Sequence, residues 1–132
     1  MISSTDIVQF LLEDILRFHE ELGRAFVMEP GIHDEGLLES AVNAPFQTFA
    51  GQELYEGIYA KAAQLCFGLT KDHPFRDGNK RTAVHSMLVY LGVNNIELEY
   101  DEQAMEDLII SVADGRTTSQ QLCSWLKSHT SK

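Results

Sequence analysis

Between Ala83 and Leu91 the chain leaves few polar positions, with Ala83, Val84, Met87, Leu88, Tyr90 and Leu91 spread around the turns of one helix. A helix apolar on several sides belongs in the middle of a bundle, so the rest of the chain must supply helices to cover it. Gly92 and Asn94-Asn95 supply its stop. Upstream, Ile7, Phe10, Leu11, Ile15, Phe18 and Leu22 recur at three- and four-residue spacing behind capping oxygens on Ser4, Thr5 and Asp6. They predict a first helix ending near Gly23, with its acidic residues on the solvated side. His19 reads as a partly exposed residue of that helix rather than a catalytic one.

After the turn signal Pro30-Gly31, Asp34 is placed to cap a short helix carrying Leu37, Leu38, Ala41 and Val42, which stops before Pro45. Phe46 to Glu53 mixes aromatics, amides and glycine without helical period, as a hairpin-like flap or an irregular connection does. Helical spacing returns from Leu54 to Lys71 through Ile58, Ala62, Leu65, Cys66 and Leu69. Lys61, inside this run, reads as a surface lysine unless tertiary packing turns it inward. Ile96 to Tyr100 alternates like a brief extended piece. Asp101 then caps a helix through Ala104, Leu108, Ile109 and Val112, and Thr118 with Gln121 forms a capping box for a last helix through Leu122, Trp125 and Leu126. Residues from about 129 to 132 are expected to fray. The fold expectation is therefore all-α: one compact domain over residues 1–132, a bundle of about six helices with a short flap before the central pair.

Twenty acidic against ten basic side chains give a formal charge of -10. That balance excludes a body whose whole surface tracks nucleic acid, and no direct nucleic-acid partner is expected. Lys71, Arg76, Lys80 and Arg81 nevertheless fall close together, a local cationic spot suited to a small polyanion such as a nucleotide. Cys66 and Cys123 sit in separate apolar helical patterns and read as small buried hydrophobes. No leader pattern and no apolar run of membrane-spanning length occurs, so the cytoplasm is the expected location and no membrane partner is expected.

The stretch His73-Pro74-Phe75-Arg76-Asp77-Gly78-Asn79-Lys80-Arg81-Thr82 runs directly into the apolar helix. A helix start presents unpaired N–H groups and a partial positive charge, which favour phosphate. His73 is the side chain best suited to take a proton from a hydroxyl near neutral pH. Pro74 is expected to hold the backbone extended there, with Phe75 plugged into the bundle. Asp77 offers one carboxylate to Mg²⁺, or alternatively an N-cap. Gly78 would let the backbone approach a ligand, and Asn79 would cap the helix or bond to main chain. Lys80 and Arg81 in a first helical turn break the dipole rule unless an anion is present. Together these residues outline transfer of a phosphate-containing group from a nucleotide to a hydroxyl. His85, one turn further on, reads as a packing residue.

Seven positions of this stretch, in order, resemble the Fic/Doc signature H-P-F-x-[DE]-G-N-G-R-x-x-R. The likeness extends more loosely over residues 31–95, where Gly31-Ile32-His33-Asp34-Glu35-Gly36-Leu37-Leu38-Glu39-Ser40 is similar to the Doc-type segment before the flap. Lys80 stands at the signature's second glycine and Val84 at its second arginine, as in Doc-type toxins rather than adenylylating Fic enzymes. The resemblance implies an ATP- and Mg²⁺-dependent protein kinase, because the lysine form is understood to turn the nucleotide so that its γ-phosphate meets the acceptor. It further implies a toxin that phosphorylates a threonine of elongation factor Tu, stops translation and is held by an antitoxin resembling Phd.

Carried over by position, His73 is the base and Asp77 the metal or acceptor-aligning carboxylate. Gly78, Asn79, Lys80 and Arg81 cradle the phosphates, Phe75 anchors the loop, and Phe46, Gln47, Thr48 and Phe49 dock the target. His33 stands where Doc relatives often carry Arg, and no inhibitory [ST]-x-x-x-E-[GN] run occurs. Fic-like transfer of AMP to a protein hydroxyl and a non-catalytic partner or corepressor of an antitoxin are the alternatives.

Overall fold

A computed structural model describes residues 8–131. Among the described residues six α-helices carry the fold: α1 (Leu12–Ala25), α2 (Glu35–Asn43), α3 (Gly57–Asp72), α4 (Asn79–Val93), α5 (Glu102–Ala113) and α6 (Ser119–Ser128). The expected all-α bundle is what forms, and α3 and α4 are the pair at its centre. On α4, Ala83, Met87, Tyr90 and Leu91 are buried, while Val84, Leu88 and Val89 are partly covered, as an all-round apolar helix requires. Small residues on α3 allow close approach: a Cβ on Gly68 would lie 3.4 Å from the Cα of Ala41 in α2.

Helix α1 begins later than its apolar period suggested. Phe10 is buried ahead of it, edge-on to Phe18 and Tyr90, and the Asp14 carboxylate accepts the Leu11 N–H at 2.8 Å to start the helix. The capping role expected of Ser4, Thr5 and Asp6, with Ile7, lies outside the described residues. Helix α2 is capped as expected, Asp34 accepting the Leu37 N–H at 3.0 Å, although Leu37 itself faces solvent. The Thr118–Gln121 capping box is present in both directions.

Between α2 and α3 lies a two-stranded hairpin, β1 (Thr48–Phe49) and β2 (Gln52–Glu53), with Thr48 opposite Glu53 and Phe49 opposite Gln52. Ala50 and Gly51 both take positive φ, 52° and 79°, the tight two-residue turn that matches strand twist. Residues 129–131, expected to fray, are held, while Lys132 lies outside the described residues. Thr130 bridges Leu98, Ser131 donates to the Glu97 carbonyl at 2.8 Å, and Thr130 Oγ1 meets the Tyr59 hydroxyl at 2.6 Å. The alternating piece around Leu98 is thus half of an isolated bridge. Among the described residues no helix is long and apolar enough to cross a membrane.

Candidate active site

Helix α3 ends on His73, whose φ of 52° and ψ of 53° put it in the left-handed region. This corrects the expectation of an extended backbone before Pro74. A left-handed residue is the ordinary way to stop a helix, but glycine usually fills it, so His73 stores strain at an exposed position. The following loop balances that strain with backbone pairing. The Pro74 carbonyl accepts the N–H groups of His33 at 2.7 Å and Asp34 at 3.0 Å, and the Arg76 N–H donates to the Gly31 carbonyl at 3.1 Å. Phe75 is 1% exposed, seated in the core.

Asn79 is buried and closes back on Phe75 twice: its Oδ1 accepts the Phe75 N–H at 2.8 Å and its Nδ2 donates to the Phe75 carbonyl at 2.9 Å. It therefore shapes the loop and does not cap the helix. Gly78 is the N-cap residue, with φ of 76° and no side-chain cap, so Asp77 is not the cap either. A Cβ at Gly78 would run into the Met28 thioether, so the glycine makes room for Met28. Asp77 Oδ2 accepts the Glu29 N–H at 2.9 Å and Oδ1 the Gly78 N–H at 2.8 Å. Those two N–H groups, with Arg81 and His19 nearby, hold the Asp77 carboxyl below its ordinary range.

Lys80 and Arg81 occupy the first turn of α4 and are exposed. Among the described residues neither forms an ion pair, while Arg17, Arg24, Lys61 and Arg116 all do. The Arg81 guanidinium lies over the Phe26 ring, 4.1 Å from its centroid. An open cleft of about 780 Å³ is lined by His73, Asp77, Gly78, Asn79, Lys80 and Arg81 together with the apolar Leu88, Met105 and Ile109. The arrangement joins an exposed histidine to an uncapped helix start and two cations without ion pairs, which suits a phosphate-bearing ligand. No group of three or more His, Cys, Asp or Glu among the described residues is placed to hold a metal ion. The motif's single carboxylate, kept charged, fits a metal carried mainly by phosphate and water rather than a protein cage.

Phe46, Gln47, Thr48 and Phe49 do not line this cleft. Phe46 turns inward against Tyr90 with ring centroids 5.7 Å apart, whereas Phe49 is 74% exposed on the hairpin. His33 contributes a backbone bond and its side chain is exposed. His85 packs edge-on against Phe18, as expected, and also borders the cleft.

Sequence reasoning missed His19. It is 8% exposed, corrected from partly exposed, and its ring lies flat on Phe75. The signal was available, since His19 falls on the apolar stripe of Ile15, Phe18 and Leu22. Phe26, Met28 and the Glu29 N–H had no such signal, because a loop residue's role depends on what the loop meets.

A small helical domain that turns a histidine and a bare helix start into one cleft is the class these features define. Residues 9–91 match the Fic/DOC family, and the chain belongs to that family. It is 38% identical over 91 residues to a protein named toxin Doc from Mycolicibacterium smegmatis, covering 67% of this chain and 70% of the relative. It is also 24% identical over 115 residues to protein kinase doc of Escherichia phage P1, covering 87% of this chain and 90% of that one.

Proposed function

We propose that this protein is the toxin of a toxin–antitoxin pair, a cytoplasmic Doc-type kinase that moves the γ-phosphate of ATP to a protein hydroxyl. The observation that carries the reading is the set of unpaired cations, Lys80 and Arg81, at the uncapped start of α4 beside His73. Lysine rather than glycine at position 80, and similarity to proteins named as a toxin and as a protein kinase, support phosphate transfer over nucleotide transfer. The proposed acceptor is a threonine of elongation factor Tu, and the proposed partner is a Phd-like antitoxin.

In this mechanism His73 accepts the proton of the acceptor hydroxyl as its oxygen bonds to the γ-phosphorus. The bond from that phosphorus to the bridging oxygen breaks, and ADP leaves. Backbone N–H groups of the first turn of α4, with Lys80 and Arg81, hold phosphate oxygens and the charge that develops on them. Asp77 stays ionised and would hold Mg²⁺, which when bound offsets phosphate charge. Asn79 and Phe75 keep the loop fixed so that no reorganisation is needed at the moment of transfer. Thr48 and Phe49 on the hairpin, with Phe46 and Gln47 at its base, would dock the acceptor segment.

The test is induced expression in bacteria of the wild type and of His73→Ala at equal level. Arrest of growth and translation by the wild type alone is the expected result. Equal growth of both strains contradicts toxicity by catalysis in that host.

A further inference from the structure

His19 sits on α1, and its polar tip is not turned to water. Its ring stacks on Phe75 with centroids 3.8 Å apart and planes 5° from parallel. Its Nε2 lies 2.8 Å from the carbonyl oxygen of Asp77, 58 residues away in sequence. A carbonyl can only accept, so Nε2 carries the proton and the histidine is the donor. The charged residues of α1 that form ion pairs, Asp14, Arg17, Glu20, Glu21 and Arg24, bind one another along the solvated side. Among the described residues, His19 alone takes a polar group from α1 to the loop.

The two contacts fall on Phe75 and Asp77, on either side of Arg76. Phe75 is already fixed by the core and by both bonds from Asn79, so packing there does not need a hydrogen-bonding ring. The Asp77 carbonyl is different. It belongs to the peptide whose nitrogen, that of Gly78, donates to the Asp77 carboxylate, and the Gly78 carbonyl accepts the first helical bond, from the Thr82 N–H at 2.9 Å. Holding that one oxygen fixes the tilt of the peptide plane. It thereby fixes the direction in which the following N–H groups of α4 point.

We infer that His19 is a positioning residue for the phosphate-holding end of α4, acting through the Asp77–Gly78 peptide rather than on substrate. The inference deepens the phosphotransfer reading and rests on it. His19 sets the aim of the N–H groups that meet the transferring phosphate, and the stacked ring holds Nε2 in place. Loss of the donor would then act on the chemical step, where aim matters most, and little on acceptor docking.

Two full-length variants separate aim from packing. His19→Phe keeps a ring on Phe75 and removes the donor; His19→Gln keeps a donor near the position of Nε2 and loses most of the stack. In His19→Phe, kcat for phosphate transfer is expected to fall about tenfold or more, with KM for the acceptor protein unchanged and thermal unfolding close to wild type. In His19→Gln most of kcat is kept in spite of lower stability. Wild-type kcat in His19→Phe overturns the inference, as does collapse of kcat in folded His19→Gln. Amide hydrogen exchange at Gly78 and Thr82, whose N–H groups are bonded in this turn, gives a readout that needs no activity: faster in His19→Phe, near wild type in His19→Gln. Unchanged exchange in His19→Phe overturns positioning. Altered exchange in a protein whose wild type transfers no phosphate upholds positioning and overturns the kinase reading alone.

Discussion

The ammonium of Lys61, 4% exposed in α3, donates to the Tyr55 carbonyl at 2.5 Å and pairs with the Glu53 carboxylate at 3.3 Å. Both partners lie at the C-terminal side of the hairpin, so one buried cation ties the flap to the central helix. Lys61→Met should lower stability by about 2–3 kcal/mol, since it leaves a carbonyl and a half-buried carboxylate without their donor. Glu53→Gln in the same chain should recover part of that loss. Denaturant unfolding of the two single variants and the double measures the coupling; additive losses would show that the pair does not hold the flap.

Gly78 combines a left-handed backbone with the Met28 thioether where a Cβ would be. Gly78→Ala is therefore expected to cost about 1–2 kcal/mol for the backbone, and little more for the contact, since the flexible end of the Met28 side chain can swing aside. Met28→Ala in the same chain should leave that backbone cost in place. Thermal or chemical unfolding checks both steps, and a neutral Gly78→Ala would contradict the account of this turn.

Asp77 gives a pH dependence with a definite sign. Its carboxyl is lowered from the ordinary 3.8, first by the Glu29 N–H and then by that of Gly78. A depressed folded-state value means that the charged form favours the fold. The contribution is complete above about 3.8 and is lost as pH falls through the lowered value. The stability difference between wild type and Asp77→Ala should hold constant at neutral pH and shrink only in that acid window. A difference that stays level down to about pH 2 would mean that Asp77 does not latch the Glu29 segment in its charged form.

The two thiols should react at very different rates. Cys66 is fully buried and its thiol is pushed up to about 12 by desolvation, while Cys123 is half-buried. With a thiol-specific disulfide reagent at about pH 8, one thiol per folded chain is expected to react, and the second only on unfolding. Rapid reaction of both would contradict the packing of α3.

The helices were legible because their burial follows a local period: α3, α4, α5 and α6 carry their inward residues where the three- and four-residue spacing puts them, and α2 does so except at Leu37. The motif from His73 to Arg81 was legible for its chemistry, though its geometry was less so. Asn79 resolved in favour of loop bonds over capping, and His73 proved left-handed because the pairing of Gly31, His33 and Asp34 with the loop outweighs the preference of a residue before proline. Lys61 and His19 escaped for one physical reason. Each is a polar residue on an apolar stripe, and what satisfies it comes from elsewhere in the chain: the Tyr55 carbonyl and Glu53 for Lys61, the Asp77 carbonyl for His19. Helical period gives the direction of a side chain but not the partner that waits there.

Phosphate transfer itself is tested most directly by incubating the purified protein with ATP, Mg²⁺ and elongation factor Tu, then taking the intact mass of the factor. The account predicts a gain of one phosphate with the wild type, on a threonine, and no gain with His73→Ala. A gain of a whole nucleotide, or no gain with either protein, would contradict it.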